Sequence, residues 1–359
     1  MENKVNMQFS LVETEKKYSY DYTETVYGKD NIVSYGKDND APLLFYNCYS
    51  NSATLKSIID GMVAYILGEG VVINENAAKW EKEVNRTGMT MRQLVAHIAL
   101  DYMIYGGFAI QVIYSKLGTI AELYPMNYSK CRTNEYATKI FYSKKNWTKW
   151  GTKSEEFDRF NRNTFDVNKP TQIFYFKGDY TKTVYPLPQW HGALTDVLTE
   201  IECSKYSLNS VSNGFTARYA LQFLNSGNLT EEQKKTVENG IKEKFCGSNT
   251  ESNFMLYFSP NGDKMEISKI ESDDTPEKFI AIKDNARSNI YTSLRCTPLL
   301  MGLTNASNGF STQEYSDSFK LFQKTVISPI QDVIVEAINK IIGEDAVSIV
   351  PFAINFEIG

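Results

Sequence analysis

Side chains able to do acid–base, nucleophilic or metal chemistry are few in this sequence, and they are scattered. Only two histidines occur, His97 and His191. His97 lies in LVAHIALDYMIY, an apolar stretch at helical spacing, where a packed structural histidine is the expected use. His191 follows YPLPQW at the head of a helical segment and is expected to be structural as well. Neither HExxH nor GxSxG occurs, so a metal-hydrolase or Ser–His–Asp centre lacks its usual frame. No GxxxxGK[ST] loop is present to cradle a nucleotide's phosphates. One acidic cluster, Glu271, Asp273 and Asp274, has the oxygen chemistry to hold Mg²⁺. It directly precedes Thr275-Pro276, an N-cap followed by proline at the first helical position, where carboxylates favour the helix dipole. That capping use is preferred. Five scattered cysteines, Cys48, Cys131, Cys203, Cys246 and Cys296, form no CxxC pair, so neither a zinc ribbon nor a redox couple is written and reduced thiols are expected. No catalytic residue, metal site or cofactor is expected.

Bulk composition points the same way. With 42% hydrophobic and 23% charged residues, the 359-residue chain is an ordinary folded protein, long enough for one large domain or two to three smaller ones. Its 38 basic residues face 43 acidic ones, a net charge of −5, which argues against tight, salt-sensitive binding to DNA phosphates. The opening MENKVNMQFSLVETEKK lacks the apolar core of a signal peptide. The most apolar stretch, SIIDGMVAYILGEGVVI, is interrupted by Asp60, Gly61, Gly68 and Glu69 and is too short to span a bilayer, so no membrane role is expected.

What elements could position anything? SATLKSIIDGMVAYIL (52–67) spaces Leu55, Ile58, Ile59, Met62, Tyr65 and Ile66 as a helix. Thr90 and Gln93 form a capping box for a second helix through about Tyr105, stopped by Gly106-Gly107. FAIQVIY and TIAELYP read as a hairpin, and QIFYFKG (172–178) as another strand. KIFYSKKNWTKWGTK (139–153) carries five lysines and four aromatics, a composition seen where single-stranded nucleic acid stacks. An exposed hairpin with a Lys-protected edge is the preferred reading. From 189 long helices take over. GALTDVLTEIECSKYSLNSV carries one apolar stripe and stops at Asn213-Gly214. A small α+β insert follows, with a capping box at Thr230–Gln233 and a hairpin of FMLYFS and KMEISKI through PNGD. A further helix starts at Pro276.

The polar tip TNASNGF comes next, with Asn305, Ser307, Asn308 and Gly309 offering almost nothing to pack. Ser311 and Glu314 then form a capping box for the longest helical pattern, about 48 Å from rise alone. Pro329 inside it removes a backbone hydrogen bond and predicts a kink near 325–329. AVSIVPFAINFEI closes the sequence as a strand pair or a long edge strand.

This order of parts resembles the portal protein of tailed double-stranded DNA phages, from about Tyr35 to Phe356. NSATLKSIIDGMVAYILGEG is similar to an early wing helix. DYMIYGGFAIQVIYSKLGTIAELYPMN resembles the family's helix, turn and hairpin, and QIFYFKGDYTKTVYPLPQWHGAL the strand leading to the first stem helix. NSVSNGFTARYALQF resembles the turn into the clip, RCTPLLMGL the stop of the second stem helix, and SDSFKLFQKTVISPIQDVIVEAINKII the kinked helix crossing the wing.

The resemblance implies an α+β portal-type fold: a mixed α/β wing, a two-helix stem, a small α+β clip and a long kinked helix. Residues 1–190 would form the N-terminal segment and wing, 191–212 stem helix 1, 213–275 the clip and 276–297 stem helix 2. Residues 298–311 would form the tunnel-loop region, 312–342 the kinked wing helix and 343–359 a C-terminal wing strand, with the helical crown absent or minimal. It implies a non-enzymatic ring, expected as a dodecamer, at one capsid vertex of the virion, assembled in the host cytoplasm. Thr304, Asn305, Ala306, Ser307, Asn308, Gly309 and Phe310 would line the channel, touching passing double-stranded DNA weakly and non-specifically, and Pro329 would aim that loop. Glu231, Glu232, Lys234, Lys235, Asn261, Gly262 and Asp263 would face the terminase large subunit and later the head–tail adaptor, with the major capsid or scaffold protein a further partner. Two rival readings stand beside it: a Mg²⁺-dependent DNA-processing enzyme using Glu271, Asp273 and Asp274, and a non-ring adaptor or scaffold protein binding through the Tyr-rich N-terminus.

Overall fold

Helix starts and stops in this chain follow local chemistry. The computed structural model describes residues 22–148, 152–179, 181–212, 219–223, 230, 232–237, 239, 254–258, 276–302 and 312–353. They belong to two units, residues 1–191 with 295–359, and residues 192–294.

In the first unit a hairpin of β1 (Val26–Tyr27) and β2 (Ile32–Val33) leads into α1 (Ala41–Asn51) and α2 (Ala53–Leu67). The Ser52 hydroxyl accepts the Leu55 N–H at 3.0 Å and so divides the two helices. Of the expected stripe, Leu55, Ile58, Ile59, Met62 and Ile66 are fully buried, and Tyr65 is half-buried. After β3 (Gly70–Ile73), α3 (Met91–Tyr105) opens with the expected Thr90–Gln93 capping box. It ends at Gly106, whose φ of 78° is left-handed and whose absent Cβ would sit 2.5 Å from the Leu187 carbonyl oxygen. Only glycine fits there. His97 is exposed on α3, correcting the expectation of a packed histidine. His191 does pack, edge-on to Phe45, and burial lowers its pKa.

The sheet is formed by β4 (Gly107–Tyr114), β5 (Ile120–Met126), β6 (Cys131–Thr133), β7 (Lys139–Tyr142), β8 (Glu155–Arg159) and β9 (Thr171–Lys177). Their order is β5-β4-β9-β8-β7-β6. β4 and β5 form the expected hairpin, and only the β8–β9 pair is parallel. This order corrects the reading of 139–153 as an edge: β7 and β8 lie inside the sheet, with β6 outermost. The physical reason is charge pairing across β7 and β8, where Lys139 meets Asp158 in register and reaches Glu156 at 2.9 Å. Trp147 is buried, donates to the Lys130 carbonyl at 2.8 Å and covers Arg132, so its ring is not free to stack on a base. Both sheet edges are blunted. Along β5, Asn85 Nδ2 and the Val84 carbonyl engage Leu123. Beside β6, Ile32 bridges to Asn134.

A buried polar knot fixes the N-terminal segment to that outer edge. The Arg132 guanidinium, 2% exposed, donates to Asn39 Oδ1 and to the carbonyls of Asn39, Ser129 and Cys131 at 2.8, 3.0 and 2.7 Å. Asn39 Oδ1 also accepts the Tyr35 N–H at 2.9 Å, and Tyr35 stacks on Tyr185 with ring centres 4.3 Å apart. The Glu24 carboxylate accepts the N–H groups of Val184 and Tyr185. Tyr35 is thus spent inside the fold, and Tyr22 packs edge-on against it. Both were among the tyrosines of the rival binding segment.

In the second unit α4 (Leu194–Ser212) and α5 (Pro276–Ser293) pack side by side. Tyr206 stacks on Phe279 at 4.6 Å, and Asn289 Nδ2 donates to Asp196 Oδ1 at 2.8 Å. Between them in sequence, β10 (Tyr219–Phe223) and β11 (Phe254–Phe258) pair in parallel. FMLYFS thus has β10 as its described partner. The hairpin to KMEISKI lies outside the described residues.

The first unit resumes at Arg295. A continuous helical run comprises α6 (Thr312–Phe322), a π-helical turn (Gln323–Ile327) and α7 (Ser328–Ile342). β12 (Val347–Val350) then pairs antiparallel with β3. Among the described residues no helix is long and apolar enough to cross a membrane.

Candidate functional site

Residues 303–311 enter from a 3-10 turn at Pro298–Met301 and leave into α6, and α2 holds both supports. Thr297 precedes Pro298, which starts the turn, and Gly302 ends it with φ 75° and its N–H donated to the Leu299 carbonyl at 3.1 Å. The Tyr65 hydroxyl donates to the Leu300 carbonyl at 2.8 Å. Met301 Sδ lies 2.5 Å from where a Cβ at Gly61 would be, so glycine at 61 lets the thioether lie on α2. On the outgoing side, the Tyr65 ring meets Phe319 at 6.0 Å and Phe322 at 5.5 Å, and Phe352 at 5.9 Å. These are edge and tilted contacts of the kind aromatic clusters favour. Burial first, and the neighbouring Tyr315 hydroxyl second, raise the Tyr65 pKa, so the phenol stays a neutral donor.

One turn further on, Gln331 joins the helical run to the end of α2. Its Nε2 donates to the Ile66 carbonyl at 2.9 Å and approaches the Tyr65 carbonyl at 3.4 Å. Carbonyls in the last turn of a helix have no partner within it, and this buried amide serves as a side-chain cap from a remote element. Gln331 Oε1 in turn accepts Gln323 Nε2 at 3.3 Å. The π turn begins at the first of these glutamines, and the Ser328 N–H donates to the Gln323 carbonyl, five residues back. Pro329 follows at once. Its ring would crowd the Thr325 carbonyl in a regular α-helix, and a wider turn relieves that crowding.

Sequence reasoning picked out Tyr65 as one member of a stripe and did not single out Gln331 or Gln323. The available signal was a glutamine inside the apolar face that runs through Ile327, Ile330, Ile334 and Ile338, a position where a buried polar group needs a partner. Thr304 to Phe310, expected to line a channel, lie outside the described residues, as do Ser311, Glu231, Asn261, Gly262 and Asp263. Glu232, Lys234 and Lys235 lie on the helical stretch 232–237, Glu232 and Lys235 exposed, behind the expected capping box between Thr230 and Gln233. Glu271, Asp273 and Asp274 are not described either, and α5 begins at Pro276. Among the described residues no three His, Cys, Asp or Glu side chains gather as a metal site.

A protein-family model, that of the phage portal protein, matches residues 72–354. The chain belongs to the phage portal protein family. As a portal protein it also shares its fold with solved assemblies. A chain in the virion of a native gene transfer agent particle is 13% identical, with a TM-score of 0.54, covering 92% of this chain and 85% of that one. Two further matches are chains in gene transfer agent necks. One, from an empty particle computed with C6 symmetry, is 13% identical with a TM-score of 0.55, covering 92% and 86%. The other, from a native particle computed with C12 symmetry, is 13% identical with a TM-score of 0.52, covering 86% and 83%. No curated protein matches this portal by sequence.

Proposed function

We propose that this chain forms a closed ring at one capsid vertex, a channel for genome packaging and later exit, with no enzymatic activity of its own. The observation that carries the ring is on the paired helices α4 and α5. They leave Leu208, Ile280 and Ile282 exposed at 66%, 60% and 48%, and Tyr206 at 48%. Apolar side chains concentrated on so short a pair call for a cover, and a second copy placed by rotation supplies one while closing on itself. Dodecameric assembly is the expected closure. The polar segment 304–310 would then face the lumen, where Asn, Ser and Thr offer exchangeable hydrogen bonds and no fixed charge to hold a sliding duplex. The segment 213–275, with Glu232, Lys234 and Lys235 on its helical stretch, would meet the terminase large subunit and then the head–tail adaptor. The wing would meet the major capsid or scaffold protein. The ring assembles in the host cytoplasm and stays in the virion.

Electron microscopy of the purified chain at high concentration tests this. Rings with a central hole of duplex width are expected. Small compact particles at every concentration, with and without capsid protein, would overturn the reading.

A further inference from the structure

Two oppositely charged surfaces of the first unit are left unspent by its fold, and they sit past opposite ends of one strand. Where β7 turns back into β8, Lys144, Lys145 and Lys153 are exposed and make no ion pair among the described residues. The acids of β8 hardly answer them: Glu156 and Asp158 are taken by Lys139, which leaves Glu155. This tip is held in shape. The buried Ser143 hydroxyl donates to the Lys153 carbonyl at 3.0 Å and accepts the Lys145 N–H at 3.2 Å, and the Trp147 ring lies over Arg132. Past the other end of β8, Arg162 lines a groove of about 550 Å³ along α7 with Asp332, Glu336, Lys340, Glu344 and Asp345. Lys340 pairs with Glu336 at 2.6 Å, while Asp332, Glu344 and Asp345 have no cation partner among the described residues. The Asn76 and Asn74 amides donate to the carbonyls of Glu344 and Asp345, which fixes the backbone and leaves both carboxylates unused.

We propose that the lysine tip of one copy docks in the carboxylate groove of the next, as a second contact between neighbouring subunits. Charge complementarity chooses the occupant. The groove carries four carboxylates and two cations, and the tip three lysines beside one carboxylate, so each patch lacks what the other supplies. A nucleic acid would be repelled by the groove. One protomer cannot satisfy itself: β8 runs from Glu155 to Arg159, about 13 Å by strand rise, and is paired on both sides, so tip and groove are kept apart. A contact between two unlike patches is head-to-tail, and rotation closes such contacts into a ring. The inference rests on the ring proposed above and adds to its apolar contact a charged one made by the first unit alone. A single exposed ion pair contributes little, whereas several charges meeting as a patch select the partner surface and weaken as salt rises.

Sedimentation velocity of the full-length chain at about 0.05 M and about 0.5 M salt reads the contact. Lys144→Glu with Lys153→Glu reverses the tip, and Asp332→Lys with Glu344→Lys reverses the groove. All four side chains are exposed, so each variant should keep the parental melting temperature. Each is expected to weaken self-association about tenfold or more at low salt. Mixing the two reversed chains should restore it, because the acidic tip then meets a basic groove and the basic tip an acidic one. Unchanged association in both variants overturns the proposal. So does a loss that mixing fails to restore, since the tip's partner is then not the groove. Micrographs of the same samples report separately on the ring. Charge-dependent association without rings keeps the contact and removes the ring, and rings indifferent to both reversals do the opposite. A parent that never associates removes both.

Discussion

Among the described residues, Asp101 on α3 is the side chain whose ionisation is most disturbed within the range of ordinary buffers. Burial pushes its pKa from 3.8 up to about 7, against the opposing hydrogen bond from the Tyr128 backbone N–H. A carboxyl that holds its proton in the fold but loses it near 4 when unfolded stabilises the native state most at low pH. Its contribution falls as pH rises from about 4 to about 7 and is level above that. Asp101→Asn keeps an acceptor for the Tyr128 N–H and removes the titration. The variant should melt higher than the parent at pH 8 and match it near pH 4, by thermal scans across that range; equal differences at both ends would show that Asp101 does not titrate this way. Thiols make a second case. Burial raises Cys48 and Cys296 to about 12, and Cys131 higher still. Iodoacetamide at pH 8 should modify these three more than about tenfold slower in the native chain than in the unfolded one, read by peptide mass spectrometry, because only the thiolate reacts.

Proline within the long helical run sets the behaviour of that element. Pro329→Ala restores an N–H and removes the ring's clash, a defect worth about 3 kcal/mol in a regular helix interior and less here, where the π turn already absorbs part of it. The variant should therefore melt higher while DNA packaging in a reconstituted capsid assay falls, since the straightened run no longer delivers the 303–311 segment at the same angle. Packaging at the parental rate would separate the proline from loop placement. Losing the α2 cap goes the other way: Gln331→Leu leaves the Ile66 carbonyl buried and unserved, at a cost of about 1–3 kcal/mol by denaturant titration.

Assembly is a property of the whole molecule, and on the ring proposed above the exposed residues of α4 and α5 are where it would be broken without unfolding a protomer. The pair Leu208→Asp and Ile280→Asp places charge where each side chain already meets water, so the isolated chain should keep its melting temperature. Rings, counted in micrographs or by light scattering, should become rare, because two carboxylates per protomer would have to be buried at every contact. Undiminished rings would move the ring interface elsewhere.

The amino-acid sequence by itself determined the local events. Thr90 with Gln93 and Thr230 with Gln233 start helices, Gly106 stops one, and the stripe from Leu55 to Ile66 faces a core, because each depends on neighbours within a turn or two. The order of helices and strands was likewise enough to find the portal resemblance. α1 escaped notice although Asp40 followed by Pro42 is a start signal, since its apolar residues make a weak stripe. Tertiary structure alone decided what depends on distant partners. It put β7 and β8 inside the sheet, paired β10 with β11 in parallel, and brought Arg132 to Asn39. It also set Gln331 beneath a helix end 265 residues away. Strand order and remote capping are settled by which surfaces meet after collapse, and no spacing along the chain encodes which buried carbonyl a glutamine will find.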